Sequence, residues 1–327
     1  MFQGIRLALV CVGLVAAGAD AQPVMHKGFN VLGYDPVWKG QPPKFTAADF
    51  TKIKAAGFDT VRINLRPQPE TLDAATTISD RWLSLVDGYV NAGLNAGLTV
   101  IIEYHGNEDQ CSNHFAKCGP FLESFWRQMA EHYQTYPDRL VFELLNEPHT
   151  PLTDAQWNDA IPKLLAAIRP SNPTRTVIIS PTMFSSLAKL PALNVPNDPN
   201  VMTTIHYYWP RDFALQFKLT PDKRGRMKFR GWGTASDRAR LESDFDMVAA
   251  WAKSHNQKIV LGEFGVWDDV PLKERAKYSR AVARAAEKRG FPWVYWQYQV
   301  NFSATDQKTG AWIPEIKSAL QGRAYGK

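Results

Sequence analysis

Leu140-Val141-Phe142-Glu143-Leu144-Leu145-Asn146-Glu147-Pro148 is a short apolar run that ends in polar residues and a proline. A run that is nearly continuous rather than alternating reads as a strand covered on both faces. A few residues on, Thr153-Asp154-Ala155-Gln156 forms a capping box, which opens a helix that ends at Arg169 before Pro170. Pro162 falls inside that helix and is expected to kink it. One buried strand followed by one helix is the unit of a parallel sheet.

The unit recurs. Apolar runs lie at Gly28 to Leu32, Thr60 to Leu65, Thr99 to His105, Leu140 to Asn146, Thr176 to Ser180, Val201 to Tyr207, Lys258 to Phe264 and Trp293 to Gln297. Helical patterns fall between them. Thr46 caps one that Gly57 closes, and others run from about Arg81 to Ala96 and Phe121 to Tyr136. After the fifth run the helix is short, near Met183 to Leu190; longer ones follow at about Ala235 to Ser254 and Leu272 to Arg289, and a last one near Ile313 to Leu320. Eight strand–helix repeats close into a single (β/α)8 TIM barrel. The doubly wound alternative is weaker, because no Gly-x-Gly-x-x-Gly follows the first strand.

The amino-terminal residues read as outside the barrel. Arg6, the apolar run Leu7 to Gly18 and the small-x-small stretch Ala19-Asp20-Ala21 fit a signal peptide over residues 1–21, with the mature chain starting at Gln22. The run is too short to span a bilayer; the alternative is an uncleaved anchor. Cys11 has no lipobox ahead of it. Removal of residues 1–21 from 327 leaves 306, residues 22–327, which suits one catalytic barrel domain. The expected location is secreted, extracellular or periplasmic.

Cleavage leaves Cys111 and Cys118, and an even pair in an exported chain suggests one disulfide that stiffens a rim loop after the third strand. Two free thiols are the alternative, and the nearby His105 and His114 do not complete a known zinc spacing. The net charge of +6 is spread out except for the dense cluster Lys218 to Arg230. That cluster reads as a solvated loop before a site for an acidic polymer, and no nucleic-acid motif accompanies it.

Barrel active sites lie at the carboxyl ends of the strands. Asn30, Arg62, Asn64, His105, Asn146, Glu147, His206, Tyr208, Glu263 and Trp296 collect there, which core packing alone would not demand. Glu147 and Glu263 matter most. A carboxylate at the end of a buried strand is costly, and two of them on distant strands are what retaining glycoside hydrolysis needs: an acid/base and a nucleophile facing each other across a sugar bond.

These residues carry a resemblance. Asn146-Glu147-Pro148, Glu263-Phe264-Gly265, Lys27-Gly28-Phe29-Asn30, Gly57-Phe58-Asp59-Thr60-Val61-Arg62-Ile63, His105, His206-Tyr207-Tyr208 and Trp296 together resemble glycoside hydrolase family 5, the cellulase family, over roughly residues 26 to 300. Two positions depart from its pattern: Lys27 stands where arginine is usual, and Glu103-Tyr104-His105 where Asp-x-His is usual. Both bear on substrate placement, since they are expected beside the reacting groups.

The resemblance implies Glu147 as general acid/base, with a raised pKa, and Glu263 as the ionised nucleophile. Arg62 is expected to hold Glu263 with a fork of donors, and Tyr208 to donate its hydroxyl to the same carboxylate. Asn146 is suited to the sugar 2-hydroxyl, and His105 and His206 to the sugar or to tuning the carboxylates. Trp296 is expected as a sugar platform, against the alternative of a core tryptophan, while Trp38, Trp209, Trp232 and Trp267 fall in rim loops where they could line further subsites. Trp82, Trp126, Trp157 and Trp251 lie at amphipathic helical spacing and read as core. No metal and no cofactor is called for.

The expected activity is therefore a secreted endo-β-1,4-glucanase acting as a monomer on a β-linked polysaccharide or oligosaccharide, with no nucleic acid and no membrane partner after cleavage. β-Mannan, xyloglucan and β-1,3-glucan are the alternative substrates, since the family hydrolyses them with the same residues. His206-Tyr207-Tyr208-Trp209-Pro210 is similar to the bacterial cellulase-like members. A non-catalytic carbohydrate-binding barrel is the competing class.

Overall fold

The computed structural model describes residues 23–67, 72–74, 77–106, 108–216 and 230–322. Residues 1–21, read above as a signal, and most of the basic cluster, residues 218–229, lie outside the described residues.

Eight parallel strands close into a barrel: β1 (Lys27–Val31), β2 (Thr60–Leu65), β3 (Thr99–Tyr104), β4 (Leu140–Glu143), β5 (Val177–Ile179), β6 (Val201–Tyr207), β7 (Ile259–Phe264) and β8 (Trp293–Tyr295). Each strand pairs with its neighbours in sequence, and β8 returns to β1. Seven longer helices surround them: α1 (Ala47–Ala55), α2 (Asp80–Asn95), α3 (Phe115–His132), α4 (Asp154–Ile168), α5 (Ala235–Ser254), α6 (Leu272–Lys288) and α7 (Pro314–Gln321). Capping boxes open α1 at Thr46, α4 at Thr153 and α5 at Thr234. Among the described residues no helix is long and apolar enough to cross a membrane.

Strand alternation sorts the interior. Ile101, Val141, Ile178, Met202, Val260 and Val294 form a dry inner layer. Two residues further along three of those strands stand Glu103, Glu143 and Thr204, all buried. The barrel is thus apolar below and polar at its carboxyl end, while the outward residues of the same strands pack on the helices. Trp126 and Trp157 are core, as expected, and their indoles donate to Leu144 O at 2.9 Å and Ser180 O at 2.7 Å, which ties α3 and α4 to the exits of β4 and β5.

Three local expectations are corrected. Helix α3 begins at Phe115, not Phe121, and passes through Pro120; it ends at His132, and turns fill the interval to Pro137. The Cys111–Cys118 disulfide forms, but it joins a short helix, Glu108–Asn113, to the first turn of α3 rather than closing an irregular loop. The region after β5 is a short turn at Thr182–Ser185 and a 3-10 helix at Leu187–Ala192, with left-handed backbone at Met183, Phe184 and Ser185. A small hairpin, Leu72–Ala74 with Thr77–Ile78, follows β2 and was not foreseen.

Candidate active site

At the carboxyl end of the barrel a cleft of about 390 Å³ opens between Tyr34, His105 and Trp296 on one flank and Phe184, Trp209 and Arg211 on the other. Glu147 and Glu263 face each other inside it. One carboxylate oxygen of each, together with a ring nitrogen of His206, all lie within 4.8 Å of one another.

Backbone devices at the strand ends aim both carboxylates. In β7 the register against β6 slips by one residue between Ile205 and His206, so Gly262 is an extra residue and Glu263 pairs with His206. This bulge requires glycine: a Cβ at Gly262 would sit 2.4 Å from Thr204 Oγ1. Asn30 secures it by donating from Nδ2 to Gly262 O at 2.9 Å. Glu147 uses a different device, a left-handed backbone with φ of 44°. For a non-glycine residue that conformation costs about 1–2 kcal/mol and persists only where its surroundings over-determine it.

Beneath the cleft lies a buried polar network centred on Arg62. Its Nε and Nη2 grip Glu143 at 2.7 and 2.8 Å, a bidentate pairing. Nη1 reaches Glu263 Oε1 at 2.9 Å and Asn30 Oδ1 at 2.8 Å, and Nη2 also reaches Asn146 Oδ1 at 2.9 Å. The fork expected on Glu263 is therefore closed on Glu143, and Glu263 receives a single N–H from Arg62. Tyr208 supplies the other donor, from its hydroxyl to Glu263 Oε2 at 2.9 Å. Glu103 accepts from Asn64 at 2.6 Å and lies 2.5 Å from His105 Nδ1.

The electrostatics follow from this packing. Burial works against the charge of Arg62, but Glu103, Glu143 and Glu263 together raise its pKa well above the ordinary arginine value. Burial also opposes the charge on Glu103, yet Arg62 and His105 outweigh it and lower its pKa. For Glu263 burial wins: it pushes the carboxyl above the usual carboxylate range and Glu147 adds to the rise, while His206, Arg62 and His105 pull it back. His206 is lowered, mainly by burial. Arg62 and Tyr208 donate the two hydrogen bonds that favour the ionised form of Glu263.

Glu263 is the more buried of the two carboxyls, its side chain 5% exposed against 16% for Glu147. Two carboxyls this close share one proton across a wide pH range. Both Glu263 oxygens already accept a hydrogen bond, so a proton there would break one. Glu147 Oε1 meets His206 Nδ1 at 2.8 Å, and His206 Nε2 is buried with no partner among the described residues. The Nδ1–H tautomer satisfies both atoms, because a bare ring lone pair is cheaper to bury than an unpaired N–H. That leaves Oε2 as the Glu147 oxygen not held by His206.

The structure divides the remaining candidates. His105, His206, Tyr208, Trp209 and Trp296 line the cleft. Trp209 is 47% exposed, whereas Trp296 is 4% exposed with its ring parallel to His105 at 5.6 Å, so most of its area serves packing. Asn30 and Arg62 are wholly buried under the cleft. Trp38 does not reach it: its indole donates to Leu32 O and packs on Trp82. Trp232 is buried against Tyr278, and Trp267 packs edge-on to Phe302 at the cleft wall. Lys27 is not beside the reacting groups; it begins β1, below Asn30, with its ammonium over Phe58.

Glu143, Tyr34 and Phe184 were missed. Glu143 left a signal, a charge inside an apolar strand two residues before the site level; the other two are loop residues with none. The Glu147, His206 and Glu263 atoms also form a set that a divalent cation would fit.

Comparison with known proteins places the chain. The family model Cellulase (glycosyl hydrolase family 5) matches residues 18–302, and the chain belongs to that family. It is 31% identical to Endoglucanase H of Acetivibrio thermocellus over 88% of this chain and 31% of that protein. It is 29% identical to Endoglucanase A of Clostridium longisporum over 85% and 57%. The chain thus spans from about a third to just over half the length of these curated relatives. Among solved structures, the cellulose synthase subunit Z of Clostridioides difficile is 35% identical with a TM-score of 0.84, covering 91% of this chain and 99% of that one. A hyperthermophilic endo-β-1,4-glucanase solved with substrate is 30% identical, also at 0.84, covering 91% and 97%.

Proposed function

We propose that this chain is a secreted, retaining endo-β-1,4-glucanase in which Glu263 is the nucleophile and Glu147 the general acid/base. The observation that carries the reading is the approach of the two carboxylates across an open cleft, with oxygens within 4.8 Å. Retaining enzymes hold them about 5–5.5 Å apart, and inverting enzymes leave room for a water at roughly 6.5–9.5 Å.

The mechanism follows from the hydrogen bonds. Glu263, ionised by the Arg62 and Tyr208 donors, attacks the anomeric carbon. Glu147 gives its Oε2 proton to the departing glycosidic oxygen as that bond breaks. The glycosyl–Glu263 ester then forms, and Glu147, now a carboxylate beside the Nδ1–H of His206, takes a proton from the incoming water. Asn146, fixed through its Oδ1 by Arg62, is the residue assigned to the sugar 2-hydroxyl in this reading. Export rests on the residues 1–21 pattern.

Two tests bear directly on this. Carboxymethylcellulose, mannan, xyloglucan and laminarin are incubated with the protein and the released reducing ends compared; carboxymethylcellulose is expected to lead. Proton NMR of the first product then shows the β-anomer. An α-anomer, or undiminished hydrolysis by Glu263→Ala, would sink the assignment. Broader specificity is the second reading. Thermotoga maritima Cel5A, 29% identical, was solved with mannotriose, and a relative in Bacteroides ovatus is a xyloglucan-specific endo-β-1,4-glucanase. Reducing ends released equally from mannan and cellulose would favour it.

A further inference from the structure

His149 stands two residues after Glu147 and is buried. It meets three separate strand exits. Its ring Nδ1 lies 2.7 Å from Glu147 O, where an N–H donates to a carbonyl. Its backbone N–H donates to Ser112 Oγ at 3.2 Å. The imidazole lies flat on Phe184, with centroids 4.5 Å apart and planes 12° from parallel. Phe184 in turn donates its backbone N–H to Pro148 O at 3.3 Å.

Each of these contacts touches a constrained piece of chain. Glu147 is left-handed, and so are Met183, Phe184 and Ser185, three consecutive non-glycine residues. Ser112 adjoins Cys111, which the disulfide ties to Cys118 in α3. The exits of β3, β4 and β5 therefore converge on one residue, the first at its backbone N–H and the other two at its ring. The direction of the Glu147 side chain depends on its backbone torsions. Relaxation to a right-handed or extended backbone would carry the carboxyl away from His206 and from the glycosidic oxygen.

We infer that His149 is a positioning residue for proton donation. Through Glu147 O, and braced by Ser112 and Phe184, it holds the acid/base in the left-handed conformation that brings its carboxyl to the leaving oxygen. The inference rests on the reading of Glu147 as the acid/base. His149 itself touches no reacting atom.

The test compares two substrates that differ only in their need for a proton. Phenyl β-cellobioside expels a basic phenolate and needs the acid; 2,4-dinitrophenyl β-cellobioside does not. General-acid assistance contributes on the order of 10²–10⁴-fold, so a misdirected acid loses much of that on the first substrate alone. His149→Leu in the full chain is expected to lower kcat/KM at least about tenfold on the phenyl substrate and within about twofold on the dinitrophenyl one. His149→Gln, which keeps an N–H donor, recovers most of the loss.

Azide is expected to raise kcat of His149→Leu on the dinitrophenyl substrate, since the base of the second step is displaced too. Ser112→Ala moves the same ratio in the same direction by less, and it carries the test should His149→Leu prove insoluble. Equal losses on both substrates, or none, would overturn the inference, because a residue that merely supports packing affects both alike. If the unaltered chain cleaves neither cellobioside while folded, the glycosidase reading fails and the positioning role fails with it.

Discussion

At the scale of single residues, Glu263 is held between two opposed demands. Burial favours its neutral form, and the donors from Arg62 and Tyr208 favour the ion. Tyr208→Phe removes one donor to the charged form, so the carboxyl pKa rises further. Activity is then lost at a higher pH on the acid side, and kcat/KM at the optimum falls by about tenfold, the worth of a hydrogen bond to a charged group. A pH–rate profile of the variant checks both. Glu263→Gln has the converse effect on stability. A group whose folded pKa is raised above the unfolded value contributes fully below the unfolded pKa and loses that contribution as pH rises through the folded one. Its removal is therefore expected to raise the Tm at pH 7, with the gain fading below about pH 4.3. Thermal scans at both pH values decide it.

The strand ends make these residues into a site, and the devices that do so differ from strand to strand. The Gly262 bulge turns Glu263 into the cleft. Gly262→Ala places a methyl where Thr204 Oγ1 stands. The expected cost is about 1–3 kcal/mol of overpacking, seen as a lowered denaturant midpoint, with a loss of activity larger than that of the buried control Val260→Ala. The motif Leu261-Gly262-Glu263 held the cue to this bulge, since glycine inside a strand marks one. Other elements left no cue. The early start of α3 accompanies the Cys111–Cys118 link and packing against α4, and Pro120 argued locally against it. Rim tryptophans were equally indistinct: of Trp38, Trp209, Trp232 and Trp267, only Trp209 lines the cleft. The depth of a loop residue depends on what folds over it, and that information is not local.

Across the whole molecule, the barrel brings four glutamates and one arginine into one small volume: Glu103, Glu143, Glu147 and Glu263 around Arg62. Glu147 and Glu263 lie close enough that the pair is expected to titrate as a unit. The activity profile is expected to be bell-shaped. Its acid limb reports Glu263 and lies above the ordinary carboxylate range, consistent with the direction of its shift. An acid limb at or below about pH 4.3 would contradict this.

The sequence determined the fold class and singled out the pair proposed to react, because strand–helix alternation and the two glutamate motifs are local patterns that any conformation of the chain must carry. Tertiary structure alone decided which carboxylate bears the burial, that Arg62 closes its fork on Glu143, and that His149 joins three loops. Those outcomes depend on distances between residues far apart in the chain, and only closure of the barrel sets such distances.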